Sequence, residues 1–319
     1  MKTILVTGVA GFIGSHTAKA LLERGDKIIG IDNINEYYDP ELKQKRLDVF
    51  FKDNENFIFY KEDISNLEAM EKIFSSHKID KICHLAAQAG VRHSLTDPYT
   101  YLKSNIDGTI VIFEMARKHN INCVVYASSS SVYGDNVKQP FSEKDRTDTP
   151  ISLYAATKKS NELMAYNYHK LFGINMTGLR FFTVYGEYGR PDMALFLFTD
   201  AILKGNEMEV FNHGKMKRDF TFISDIVSGI ISSLDKSYPY EIFNLGCGKR
   251  VELMKFISII EKELGKEGKK KFMEMQPGDV PESLADVSYA KEKLGYEPKV
   301  NVEEGIKKFI GWYKEYYDV

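Results

Sequence analysis

Tyr154 and Lys158 lie four residues apart, downstream of the serine run Ser128-Ser129-Ser130-Ser131 and of three early glycines, Gly8, Gly11 and Gly14. Residues four apart share one face of a helix, so an ammonium can sit beside a phenol. A neighbouring cation lowers a phenol's pKa, and a bound oxidised nicotinamide would add a second one. A tyrosine so placed can take a proton from an alcohol near neutral pH, which is general-base catalysis paired with hydride transfer to a cofactor. The Tyr-x-x-x-Lys spacing alone also arises by chance on exposed helices. The serine run and the glycines, in this order along the chain, favour the catalytic reading.

Short apolar runs alternate with helix-like stretches around these residues. Lys2 to Thr7 reads as a buried strand, after which Ile13, Thr17, Ala20 and Leu21 fall at helical spacing. Further strands are expected at 27–31, 57–60, 81–85 and 123–127. This alternation predicts an α/β chain with a doubly wound parallel Rossmann sheet. Past Phe182 the pattern loosens at Gly186, Gly189 and Pro191, and strand character resumes near Asp219. Residues 1–180 are therefore expected to form an NAD-binding domain, to which 217–243 returns. Residues 181–319 are expected to be mainly a smaller, C-terminal substrate-binding region.

The glycines occupy the first strand-to-helix turn, with Phe12 and Ile13 inside it. Glycine there lets backbone approach a pyrophosphate, whose charge the helix N-terminus favours. Asp32 ends the second strand, where a carboxylate accepts hydrogen bonds from a ribose diol and repels a 2′-phosphate, so NAD is expected rather than NADP. Asp32 with Asn33 also fits a simple turn cap. Asp63 and Ile64 are placed to meet an adenine. Leu85-Ala86-Ala87 offers small side chains where backbone passes the cofactor, with Asn105 bracing that turn, although packing alone would explain both.

A net charge of −2 and a pI near 6.4 give no basic field for a nucleic-acid backbone. Neither a leader segment nor a membrane span is expected. The seven histidines form no His-x-x-x-His pair or His/Cys cluster, so no metal is expected. Cys83, Cys123 and Cys247 form no close pair, which suits the cytoplasm.

With these residues in place, the chain resembles the extended short-chain dehydrogenase/reductase family, and within it the nucleotide-sugar 4-epimerases. The resemblance covers nearly the whole chain and includes Arg180-Phe181-Phe182-Thr183-Val184-Tyr185-Gly186, Arg218-Asp219-Phe220 and Pro277-Gly278-Asp279. It implies Ser129, Tyr154 and Lys158 as catalytic residues, with Ser128 and Ser130 as substrate contacts or turn residues. The Asp-Glu pair of dehydratases is absent from the serine segment. So is the glutamate that uronate decarboxylases carry where this chain has Ser131. Galactose-type epimerases have an asparagine where Thr183 stands.

Thr183, Arg190 and the segment Gln88 to Arg92 look most like the uronate-directed members, which implies 4-epimerisation of UDP-glucuronate to UDP-galacturonate. Arg190 suits a sugar carboxylate, a diphosphate or a surface ion pair. Arg92 is open in the same way. Arg218 is expected at the diphosphate, Phe211 against uracil, and Gln276 and Asp279 near the ribose or phosphates. A UDP-glucose 4-epimerase, a UDP-glucuronate decarboxylase and a non-catalytic NAD sensor remain as alternatives. The resemblance also implies a homodimer paired through helices near 98–119 and 152–171, with Tyr101, Phe113, Met164 and Tyr168 supplying apolar surface.

Overall fold

The computed structural model describes all 319 residues. Seven strands form one parallel sheet: β1 (Thr3–Thr7), β2 (Lys27–Asp32), β3 (Phe57–Lys61), β4 (Lys81–His84), β5 (Cys123–Ser129), β6 (Asn175–Phe181) and, after three strands that lie elsewhere, β10 (Tyr240–Leu245). The order across the sheet is β10-β6-β5-β4-β1-β2-β3. The chain reverses direction across the sheet between β1 and β4. In open α/β sheets that switch point opens a crevice at the strands' carboxyl ends.

Alternation along each strand feeds two cores. Ile4 and Val6 join a cluster of 46 buried residues on one face, while Leu5 joins a cluster of 20 on the other. Both faces are thus covered by helices, which is why β1 and β5 read as nearly unbroken apolar runs.

β7 (Thr183–Tyr185), β9 (Lys217–Phe222) and β11 (Arg250–Glu252) form a second, three-stranded sheet, and β8 (Glu207–Val210) pairs with β12 (Lys269–Phe272). Of the segment expected to return to the large sheet, only part does. Lys217–Phe222 pairs in the small sheet, and Tyr240–Leu245 adds to the large one beside β6. The helix Ile223–Lys236 between them carries Ile226 and Ile230 into the larger core.

Two helices position the chemistry. Leu153–Phe172 starts at Ser152, whose side chain accepts a hydrogen bond from the Ala155 N–H, and stops at Gly173 in the left-handed region at φ 70°. Tyr154 and Lys158 occupy its first two turns. The second helix run is interrupted: Pro98–Tyr101 passes into a π-helical turn, Leu102–Asp107, before Gly108–Lys118. That wide turn holds Asn105 fully buried beside the Leu153–Phe172 helix.

Candidate active site

The carboxyl ends of β1, β2, β4 and β5 open onto one cleft of about 750 Å³, which continues over the small sheet. It is lined by Gly8, Gly11, Phe12, Ile13, Gly14, Asp32, Asn33, Asp63, Ile64, Leu85, Ala86 and Ala87 at one end. Ser128, Ser129, Ser130, Tyr154 and Lys158 stand at its centre. Arg92, Thr183, Arg190, Phe211, Arg218 and Asp279 line the remainder. Among the catalytic, cofactor and substrate candidates from the sequence, only Asn105 and Gln276 do not line the cleft.

The glycine turn is close-packed. Gly8 has φ 71°, and a Cβ there would lie 2.8 Å from Ala86 backbone atoms; at Gly14 a Cβ would meet the Gly8 carbonyl at 2.0 Å. Side chains are therefore excluded, and the helix Phe12–Glu23 begins at the cleft's end. Asp32 braces the turn: its Oδ2 accepts from Ala10 N–H at 3.0 Å and its Oδ1 from Ile34 N–H at 2.8 Å. Burial raises its pKa, against which those N–H groups and the charges of Lys43 and Arg46 act. A carboxylate has about four lone-pair sites, so Asp32 retains acceptor capacity for a diol. Thr7 Oγ1 accepts from Ala86 N–H at 3.1 Å and pulls the Leu85–Ala87 segment against Gly8.

Asn105 acts from behind. Its Oδ1 accepts from Gln88 N–H at 2.8 Å, and its Nδ2 donates to the Gln88 carbonyl and to Thr157 Oγ1, each at 3.0 Å. It therefore fixes the segment after Ala87 against the helix that carries Tyr154. Gln276 shares only a turn with Asp279, whose N–H donates to its carbonyl at 3.3 Å, and its Oε1 is buried with no partner.

At the centre, Ser131 N–H donates to Ser129 Oγ at 3.1 Å, which leaves the Ser129 proton free to be donated into the cleft. Burial raises the Tyr154 pKa; the Ser129 hydroxyl and the Arg190 charge oppose that rise. Lys158 is buried, and desolvation lowers its pKa to about 7. Its ammonium donates to the Ala127 carbonyl at 2.9 Å. The Arg190 charge is thus among the groups that check the rise at Tyr154, while the Lys158 ammonium is bonded to Ala127.

Ser128 is held differently from its neighbours. Its hydroxyl donates to Glu162 Oε1 at 2.7 Å, and Glu162 forms a two-pronged ion pair with Arg180, at 2.8 and 2.9 Å. Arg180 also donates to Tyr133 Oη at 3.0 Å, and Tyr133 to Asn244 Oδ1 at 2.7 Å. This network ties β5, β6, β10 and the Leu153–Phe172 helix together beneath the serine run. Ser128 is consequently committed to the framework.

Arg190 Nε donates to Asp192 Oδ1 at 3.0 Å, and Tyr37 Oη donates to the same carboxylate at 3.0 Å. Nη1 of Arg190 makes no hydrogen bond within the protein. Further along, Arg92 and Arg218 both approach Asp279, at 3.6 and 4.0 Å, and the Arg92 guanidinium lies 5.0 Å from the Phe211 ring centre. These residues gather two guanidiniums, one carboxylate and an aromatic ring at this end of the cleft.

Tyr37, Lys43 and Asp192 also line the cleft and were not singled out from the sequence. Lys43 donates to both Asn35 oxygens, and burial lowers its pKa to about 8. One signal was available: Lys43 and Arg46, three apart, share the buried face of helix Pro40–Phe51 with Leu42 and Leu47. Basic residues on a helix's inner stripe are rarely placed there for packing.

Fold and site together fit a dinucleotide-dependent enzyme that acts on an alcohol group of a nucleotide sugar. Residues 5–309 match the family described as GDP-mannose 4,6 dehydratase, and the chain belongs to that family. It is 58% identical to an uncharacterised protein of Methanocaldococcus jannaschii, over 99% of this chain and 98% of that one. It is 45% identical to UDP-glucuronate 4-epimerase 4 of Arabidopsis thaliana, over 99% of this chain and 76% of the relative. Among solved structures, UDP-glucuronic acid 4-epimerase from Bacillus cereus in complex with UDP-glucuronic acid and NAD superposes with a TM-score of 0.93 at 35% identity. That match covers 99% of this chain and 100% of the other.

Proposed function

We propose that the protein is an NAD-dependent isomerase that converts UDP-glucuronate to UDP-galacturonate through a 4-keto sugar. The observation that carries this reading is that Thr183 and Arg190 line the same cleft as Ser129 and Tyr154, so carboxylate recognition and C4 chemistry share one site. NAD fits this chain: the glycine turn is closed to side chains, Asp32 stands at the end of β2, and one cleft is lined from that turn past Tyr154 to Arg218. When bound, NAD accepts and returns the C4 hydride.

The chain's own groups do the rest. Tyr154 removes the O4 proton, Ser129 donates a hydrogen bond to the oxygen that becomes the carbonyl, and Lys158 orients the cofactor ribose. Arg92 and Arg218 grip the diphosphate. The sugar is held more loosely, so it can turn and present its other face before O4 is reprotonated by Tyr154. The 4-keto uronate is a β-keto acid and can lose carbon dioxide. Hydrogen bonds from Thr183 and Arg190 to its carboxylate stabilise the localised charge more than the dispersed charge of the decarboxylating transition state. No glutamate stands at Ser131 to favour that loss.

Two copies associate in our reading, by surface that differs from the sequence expectation. Tyr101 and Phe113 are fully buried, Tyr168 is nearly so, and Met164 packs on the smaller core. The exposed apolar residues of those helices are Tyr99, Leu102, Leu163, Tyr166, Leu171 and Phe172. No helix is long and apolar enough to cross a membrane. We assign the protein to the cytoplasm, a reading that its three free thiols support.

A proton NMR time course with UDP-glucuronate and NAD tests the function. Growth of UDP-galacturonate signals is expected. A pentose product would make the protein a decarboxylase, and turnover of UDP-glucose alone would make it a neutral-sugar epimerase.

A further inference from the structure

Arg46 is wholly buried, and no carboxylate lies within ion-pair distance of it. Its five contacts are to carbonyls and one hydroxyl drawn from three segments. Nη1 donates to the Ala10 carbonyl in the glycine turn at 2.8 Å and to Tyr38 Oη at 2.7 Å. Nη2 and Nε donate to the Tyr188 carbonyl at 2.7 and 3.1 Å, and Nη2 reaches Gly189 at 3.5 Å. Arg190 follows directly. A buried cation with no carboxylate in direct contact is costly unless its donors are all used, and a planar fork uses them in fixed directions.

The loop it holds is strained. Tyr188 has φ 56°, a conformation that a bulky residue adopts only when its surroundings impose it. Those surroundings are aromatic: its ring centre lies 4.9 Å from Phe50, 4.9 Å from Trp312 and 6.3 Å from Tyr316. His16, on the helix that begins at the glycine turn, approaches the Glu187 carbonyl at 2.9 Å. The C-terminal helix Val302–Tyr317 thus clamps the ring of Tyr188 while Arg46 holds its carbonyl. The same guanidinium grips Ala10, whose N–H is held by Asp32.

We propose that Arg46 and Tyr188 are positioning residues that aim Arg190 into the cleft and fix its distance from the cofactor turn, so that one buried fork sets the spacing between dinucleotide and sugar sites. This rests on the reading of Arg190 as a substrate contact, while the geometry it describes does not depend on which sugar is bound.

Two measurements test it. Trp312 is the chain's single tryptophan and packs on Tyr188, so its emission reports the loop with no substrate present. Arg46→Met should change that emission, and an unchanged spectrum in a folded variant would overturn the proposal whatever the enzyme's substrate. The second is a double-mutant cycle at saturating NAD, read by calorimetry as binding of UDP-glucuronate. Loss of one charge-assisted contact in Arg190→Met should weaken binding about tenfold. Arg46→Met should weaken it several-fold, and the double variant should be no worse than Arg190→Met alone.

Additive losses would mean that Arg46 merely stabilises the fold, and would sink the proposal. If Arg46→Met does not fold, Tyr188→Gly takes its place in the cycle. Glycine accepts the backbone angle without strain but removes the clamped ring, and the same non-additivity is required. Wild-type turnover of UDP-glucuronate is scored separately, so failure of the epimerase reading is not mistaken for failure of the clamp.

Discussion

At the residue scale, the site divides charge between groups that a sequence cannot order by distance. The spacing of Tyr154 and Lys158 placed both on one helix face, and both line the cleft. It gave no indication that Lys158 would bond to Ala127, or that Arg190, distant in sequence, would be among the groups that check the rise of the phenol's pKa. Removing that cation should raise the Tyr154 pKa, so the acid limb of the kcat against pH profile should move to higher pH in Arg190→Met. An unmoved limb would remove Arg190 from the activation of the base.

Lys158 makes a second, opposite prediction. Its folded pKa of about 7 lies below the 10.5 of a free lysine, so the folded state binds fewer protons between those values, and stability rises with pH across that window. The melting temperature of the ligand-free protein should climb from neutral to alkaline pH, and Lys158→Met should flatten the climb. Thr183→Val keeps shape and removes a hydroxyl; it should raise the ratio of pentose by-product to epimer, read by NMR. A lower rate with an unaltered ratio would mean that Thr183 does not protect the carboxylate.

At the scale of elements, β1 to β5 were legible because the central parallel strands are buried on both faces and read as short apolar runs, whereas β6 and β10 were not singled out. The π-helical turn at Leu102–Asp107 was not, since nothing in its composition marks a widened turn; only its cargo, Asn105, was noticed. The boundary near Lys217 was misplaced for a related reason. An apolar strand looks the same whichever sheet it joins, and pairing partners are set by tertiary packing rather than by local pattern. The ion pair of Glu162 and Arg180 joins four elements beneath the serine run. Arg180→Leu would leave the buried Glu162 carboxylate with only the partly exposed Lys159 ammonium, 3.3 Å away, as counter-charge, a loss of about 3 kcal/mol. A large fall in the chemical-denaturation midpoint is expected, along with a weakened hold on Ser128; a small fall would show that water reaches Glu162.

At the scale of the whole molecule, the nucleotide-binding sheet and the substrate-binding sheet are interleaved along the chain, and we divide them as a unit built on β1–β6 with Ile223–Leu245, and a unit holding most of the remainder. The exposed Leu163 and Tyr166, one turn apart, lie on the helix that bears the catalytic tyrosine. Leu163→Glu with Tyr166→Lys should halve the mass measured by light scattering if this face pairs two copies. An unchanged mass would place the interface elsewhere or leave the protein monomeric.

The late position of β10 has its own consequence for synthesis on the ribosome. β6 is finished at Phe181, yet its outer neighbour is not made until Tyr240–Leu245, so the nascent chain carries an open β edge while about sixty further residues emerge. Occupancy by a chaperone during that interval, and aggregation of chains released before it ends, would follow from strand order alone.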